Sequence, residues 1–235
     1  MSESRRYTFE AMRRPFLAVH GSDLLFPVRR VYCVGRNYES HALEMGGQPD
    51  REPPFFFTKP ADAIVPGGGS MEYPLATAEL HHEVELVVAL AGGGAEISPE
   101  ECRSFIFGYA VGVDFTRRDL QRTAKHTARP WDMSKGFDQS APCSPIVRAG
   151  DVGHPRTGSI RLAVNGELRQ AGDLADLIWS PEEILANLSR LVELAPGDLV
   201  FTGTPAGVGP VTPGDTYRAW IPGVGEVRGE ILPRS

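Results

Sequence analysis

The sequence predicts an α+β domain in which β-structure dominates, and three observations carry that expectation. Glycine and proline are frequent, 26 and 20 among 235 residues, which favours turns and short strands. Apolar residues alternate at period two in several segments, as in strands that turn one face to a core. Strand-like and helix-like stretches do not follow regular βα alternation, so a doubly wound parallel sheet is not expected.

In chain order, residues 1–30 read as a short N-terminal segment, with strands around Phe16–Val19 and Leu24–Phe26. Residues 46–70 (GGQPDREPPFFFTKPADAIVPGGGS) read as a long loop, and loops of that length in a compact domain are often functional. In HHEVELVVAL (81–90), Val84, Leu86, Val88 and Leu90 line one strand face, while Glu83 and Glu85 project from the other. Ser98, Pro99 and Glu101 form a capping box that opens a helix. GYAVGVDF (108–115) is the next strand, with Tyr109, Val111, Val113 and Phe115 on its bulky face. Ala110 and Gly112 share the other face with Asp114 and leave space beside it. Thr116 and Asp119 are expected to cap a helix that runs to about Lys125. Asn165-Gly166 suits a type I′ turn, so LAVNGELRQ (162–170) reads as a hairpin. A second capping box at Ser180–Glu183 starts a helix with Ile184, Leu185, Leu188, Leu191 and Val192 on its buried face. Pro196-Gly197-Asp198 ends it, and LVFTG (199–203) is a strand that enters the loop GTPAGVG (203–209).

Composition excludes several classes. The net charge is −6 and no basic cluster is evident, so a nucleic-acid partner is not expected. The first residues lack an apolar run, and the longest such stretch, Leu86–Ala91, is far short of the ~20 residues that span a bilayer. Cys33, Cys102 and Cys143 contain no CxxC pair, so neither a disulfide framework nor a zinc knuckle is expected, and the cytoplasm is the expected setting. No GxSxG elbow, phosphate-binding loop or dinucleotide fingerprint is present. His20, His126 and His154 lack a recognisable partner and read as surface residues.

Two constellations carry chemistry. Glu83 and Glu85, at i and i+2 on one strand face, lie about 7 Å apart and repel unless a cation stands between them. Most Glu-x-Glu pairs are solvated strand faces. Here the opposite face is apolar, His81 and His82 precede the pair, and a third acid, Asp114, sits on a neighbouring strand. Three carboxylates without a cysteine make a hard oxygen site, suited to Mg²⁺, Mn²⁺ or Ca²⁺. In GRNYESHALEMG (35–46), His41 and Glu44 stand at i, i+3 and become neighbours on a helix. A carboxylate beside a histidine fixes its tautomer and lets it act as a base toward water, although a surface ion pair gives the same spacing. Arg36, Lys59, Arg118 and Lys135 are cations close to these segments in sequence.

GRNY-x₂-H-x₂-E, FTKP, HHE-x-E, GYAVGVDFTRRD, Lys-Gly-Phe-Asp and FTGTPAGVG occur here in that order. Together they resemble the fumarylacetoacetate hydrolase family across residues 31–231, and within it the bacterial acylpyruvase branch of gentisate breakdown. The resemblance implies a β-roll with a mixed β-sandwich and a few short helices, residues 31–235 as one catalytic domain, and a homodimer. It implies Mg²⁺ or Mn²⁺, with Ca²⁺ as a crystal substitute, on Glu83, Glu85 and Asp114, and water activation by His41 and Glu44. Lys135 matches a metal-proximal lysine. Lys59, Arg118, Gln121 and Thr204 match positions that hold the substrate's carboxylate and keto oxygens. A distal carboxylate would need a further cation, from Arg36, Arg117, Arg122 or Arg129. The implied reaction is hydrolysis of the C–C bond of a 3-acylpyruvate, foremost 3-fumarylpyruvate to fumarate and pyruvate. Oxaloacetate decarboxylation, acetylpyruvate hydrolysis, isomerisation of a hydroxylated dienedioate and a non-catalytic metal-binding scaffold are the alternatives.

Overall fold

The computed structural model describes residues 8–10, 14–44 and 51–234. Its centre is an eight-stranded mixed sheet. In spatial order the main path runs Phe55–Lys59, Arg30–Gly35, Asp198–Phe201, Val84–Leu90, Ile106–Val113, Ala141–Cys143 and Ile64–Pro66, with Val147–Arg148 paired beside Ile106–Val113. A five-stranded sheet faces it, in the order Glu167–Asp173, Ser159–Val164, Thr216–Ile221, Gly225–Leu232 and Gly68–Glu72. The main core lies between them, where Leu86, Val88 and Val111 meet Ile160, Leu162, Ala219 and Ile231. A second cluster covers the other face of the large sheet, with Val87, Ala89, Ala110 and Phe201 against Leu17 and Phe26 of the hairpin Phe16–Ala18/Leu25–Pro27. Every residue of Val84–Leu90 is buried for that reason. No described helix is long and apolar enough to cross a membrane.

Local signals in the sequence form where expected. Both capping boxes are present, at Ser98/Glu101 and Ser180/Glu183, and the helices they open, Pro99–Phe105 and Pro181–Ser189, pack together. Asn165 and Gly166 take φ of 52° and 80° and close the hairpin between Ser159–Val164 and Glu167–Asp173.

Four expectations change. The 46–70 stretch is not one loop: Phe55–Lys59, Ile64–Pro66 and Gly68–Glu72 are strands in two sheets, while 45–50 lies outside the described residues. The 81–90 strand is two. Leu80–His82 pairs with Thr116–Arg117 and Gly209–Val211 in a small sheet of its own, and the chain bends at Glu83 before Val84–Leu90 joins the large one. The helix Arg118–His126 follows Arg117, which makes no side-chain cap; Asp119 instead accepts from the amides of Leu120 and Ala78, both at 2.9 Å. Leu191 lies beyond the end of Pro181–Ser189 and is 68% exposed.

Ser180→Ala removes the acceptor for the Glu183 amide and is expected to cost about 1 kcal/mol. In urea unfolding the midpoint should fall with an unchanged m-value.

Candidate active site

The bend at Glu83 builds the site. Val84 pairs with Val113 and Glu85 with Gly112 in the large sheet, whereas His81 pairs with Thr116 in the small one. Between these registers the Asp114 amide donates to the Glu83 carbonyl at 2.8 Å. Two neighbouring strands therefore leave one sheet for another at the same level, and Glu83, Glu85 and Asp114 converge at that corner. One carboxylate oxygen from each lies within 4.8 Å of the others, and all three residues are buried. Gly112 does not leave a void beside Asp114. A Cβ there would stand 2.5 Å from the Phe201 ring and 2.7 Å from Val87, so the small residue admits an apolar ring.

Three cations meet the carboxylates. Lys135, at the end of the short helix Asp132–Lys135, donates to Glu83 Oε2 (2.8 Å), Asp114 Oδ2 (2.6 Å) and Thr116 Oγ1 (2.6 Å). Arg118 donates from Nη2 to Glu83 Oε1 at 2.5 Å and from Nη1 to Gln121 Oε1 at 2.6 Å. Its Nε donates to His81 Nδ1 at 3.2 Å, which leaves Nε2 of His81 to donate to Glu79 at 3.0 Å. Lys59 Nζ lies 2.8 Å from Asp114 Oδ1, outside hydrogen-bond angles, and donates to the carbonyls of Lys135 (2.5 Å) and Phe115 (3.0 Å). The Lys59 and Asp114 side chains are both fully enclosed, so Lys59 braces Asp114 within the buried cluster.

The electrostatics differ within the triad. Burial opposes ionisation of Glu83, but Lys135 and Arg118 outweigh it and pull its carboxyl below the ordinary range. Glu85 goes the other way. Burial pushes it well up, Asp114 and Glu83 push it further, and Lys135 and the Gly203 amide, which donates to Glu85 Oε2 at 2.6 Å, oppose this in part. A divalent cation would relieve that repulsion, and next to it Asp114 Oδ1, buried and 2.8 Å from Lys59 Nζ, accepts no hydrogen bond from the described residues. An all-oxygen donor set of this charge fits Mg²⁺ or Mn²⁺.

The cleft in front of the triad is lined by Glu83, Glu85, Lys135, Arg118, Gln121, Thr204, Arg36 and His41, among others. His41 and Glu44 lie on the helix Glu39–Glu44, with Nδ1 3.2 Å from Glu44 Oε2. Burial lowers the His41 pKa below its ordinary 6.5, and Glu83 and Glu44 offset this only in part. Glu44 is also held by the Gly207 amide, at 3.1 and 3.3 Å to its two oxygens.

Sequence reasoning missed two buried amides. Asn37 donates to the carbonyls of Thr202 (2.8 Å) and Trp179 (3.0 Å) and accepts from the Trp179 amide (2.8 Å), which anchors the start of the dyad segment to the strand end after Phe201. Gln170 accepts from the Val84 amide at 3.0 Å, contacts His82 Nδ1 at 3.0 Å, and donates to Thr204 Oγ1 at 2.8 Å and to the Pro205 carbonyl at 2.9 Å. A signal for Gln170 existed: it pairs with Leu162, so a polar residue occupies the apolar face of the hairpin. His154, expected at the surface, is half-buried and bonded to the Tyr109 hydroxyl at 2.7 Å.

Residues 30–232 match the Fumarylacetoacetate (FAA) hydrolase C-terminal family. The chain belongs to the fumarylacetoacetate hydrolase family. Within it, a solved structure of fumarylpyruvate hydrolase from Pseudomonas aeruginosa, in complex with Mn²⁺ and pyruvate, is 51% identical with a TM-score of 0.95, covering 97% of this chain and 100% of that one. A fumarylpyruvate hydrolase of Ralstonia sp is 41% identical over 182 residues, 77% of this chain and 94% of the relative. An oxaloacetate tautomerase of Escherichia coli (strain K12) is 40% identical over 196 residues, 83% of this chain and 89% of the relative.

Lys59→Met should leave Asp114 with one buried counter-charge fewer and destabilise the fold by about 3 kcal/mol. A urea midpoint equal to that of the wild type would show that Lys59 does not brace the site.

Proposed function

We propose that this chain is a divalent-metal-dependent hydrolase of 3-acylpyruvates, with 3-fumarylpyruvate, cleaved to fumarate and pyruvate, as its substrate. One observation carries the reading: Glu83 and Glu85, of a carboxylate triad fit for a divalent cation, and His41, of a His–Glu dyad, line the same cleft. A cation site stabilises the enolate oxygen, and a positioned base beside it can deprotonate an attacking water. The fumarylpyruvate hydrolases among the similar proteins support the substrate.

Bound at Glu83, Glu85 and Asp114, the cation supplies Lewis acidity beside the α-keto acid end of the substrate. Burial keeps the His41 imidazole neutral near pH 7, the form a base needs. With the Nδ1 proton donated to Glu44, Nε2 is free to take a proton from water, whose oxygen bonds to the distal carbonyl carbon of the acyl group. The Lys135 ammonium and Arg118 guanidinium provide positive charge for the tetrahedral oxyanion. The C–C bond then breaks with its electron pair moving to C3 of the pyruvate portion, which regains the proton that His41 removed.

A second reading, enolisation of oxaloacetate in the same cleft, is favoured by the likeness to the Escherichia coli oxaloacetate tautomerase. It needs no attacking water but does need a base for the C3 proton, so the products, fumarate and pyruvate against the enol of oxaloacetate, separate the two.

Glu85→Gln should lose Mn²⁺ affinity and acylpyruvate cleavage together, as read by Mn²⁺ titration and substrate absorbance. His41→Ala should retain Mn²⁺ and lose roughly 10²-fold or more in kcat; full hydrolytic activity in that variant would remove the dyad from the reaction.

Because neutral His41 is the active form and its pKa is lowered, wild-type kcat/KM should fall on the acid side through an apparent pKa below 6.5. An acid limb above that value would assign it to another group.

A further inference from the structure

Among the described residues, four cations face the cleft: Lys135, Arg118, Arg36 and Lys125. The first two are bonded to Glu83, and Lys135 also to Asp114. Arg36 and Lys125 are different, since neither has a carboxylate partner among the described residues. Lys125 lies over the ring of Trp131, 5.1 Å from its centroid, and Phe55 packs edge-on against that ring with centroids 5.1 Å apart. Burial pushes the Lys125 ammonium down to about 8, and the charges of Arg118 and Arg36 add to the push. Positive charge at this place is thus held at a cost that an anion would remove.

Position matters as much as charge. Arg118, Gln121 and Lys125 stand at i, i+3 and i+7 on the helix Arg118–His126, and all three line the cleft. Arg118 holds the metal-side carboxylate Glu83, and Lys125 lies about 10 Å further along the helix axis. The buried carboxylates are already matched in number by Lys59, Lys135 and Arg118. A divalent cation and the α-keto acid end of an acylpyruvate, which becomes an enolate, neutralise one another. Arg36 and Lys125 then remain, on a cleft whose walls also include the flat rings of Phe57 and Trp131.

We propose that Lys125 and Arg36 bind a second carboxylate at the far end of the acyl group and make the enzyme selective for dicarboxylic acylpyruvates over neutral ones. This rests on the acylpyruvate reading above. Lys125 sets specificity by direct contact, and Trp131 positions its ammonium.

The test compares kcat/KM for fumarylpyruvate and acetylpyruvate in the wild type, Lys125→Gln, Arg36→Gln and Lys125→Arg. The fumarylpyruvate-to-acetylpyruvate ratio is expected to fall about tenfold or more in each glutamine variant, the loss of a charge-assisted contact, and to recover in Lys125→Arg. Ratios equal to the wild type in both glutamine variants would overturn the proposal. Calorimetric titration of the Mg²⁺-loaded protein with fumarate is an arm independent of turnover. Affinity should weaken about tenfold in Lys125→Gln; absent wild-type binding, or binding unchanged by the substitution, would overturn it. If the wild type cleaves neither acylpyruvate, the hydrolase reading fails on its own, and the fumarate titration still decides whether this carboxylate site exists.

Discussion

Six ionisable side chains share one nearly dry space, and each, if charged and unpaired there, would destabilise the fold by several kcal/mol. Glu83, Glu85 and Asp114 oppose Lys59, Lys135 and Arg118, and the two sets arrive on separate elements. Lys59 ends an edge strand, Lys135 ends a four-residue helix, and Arg118 begins a longer one. Pairing requires all of these elements to converge on the corner where the two carboxylate-bearing strands change sheets. The balance is still uneven. Glu83 and Asp114 receive direct cations, whereas among the described residues Glu85 has only a backbone amide as hydrogen-bond partner, so repulsion is concentrated on one carboxylate. A site held in that condition is poised to take up positive charge, as expected where function and not stability fixes the residues.

The loop after Phe201 links that charge cluster to the base. Its Gly203 amide holds Glu85, its Thr204 hydroxyl is held by Gln170, and its Gly207 amide holds Glu44. Both glycines are conformational necessities, with φ of 98° and 93°, and a Cβ would meet Asn37 at 2.7 Å in one case and the Arg169 carbonyl at 2.2 Å in the other. Triad and dyad are therefore not independent constellations on a shared wall. A shift of this one loop moves a ligand carboxylate and the orienter of the histidine together, which couples the placement of water to that of the cation.

What the sequence makes legible is local. The two Ser-Pro-Glu-Glu starts, the Asn165-Gly166 turn and the alternation after Glu83 all depend on contacts within a few residues, and all form. The His41–Glu44 spacing is legible for the same reason. The partner of a buried charge is not. Nothing near Lys59 in the chain says that it ends against Asp114, or that Gly112 is small because Phe201 fills the place. The bend at Glu83 also carries no glycine or proline. It is imposed by the small sheet, in which Leu80–His82 pairs with two segments remote in sequence. The stretch at 46–70 misleads in the opposite sense: its prolines and glycines suggest a loop, but Phe55–Lys59 is an edge strand and Gly68–Glu72 a strand that begins in glycines.

The helix Arg118–His126 shows how such a site can hold its chemistry fixed while its choice of substrate changes. At its buried start, Arg118 is tied to Glu83, Gln121 and His81, so replacing it breaks a desolvated network on which folding depends. Two turns later, Lys125 lies over a half-buried tryptophan face, has no carboxylate partner among the described residues, and opens on the cleft. A neutral side chain there would leave no buried carboxylate unpaired. The energetic constraint thus decays along a single helix, from residues that the fold requires to residues that only a ligand would notice. Selectivity for the acyl group can therefore alter at the mouth without disturbing the carboxylates below it, which is a physical route by which one metal-centred scaffold serves acylpyruvates of different charge.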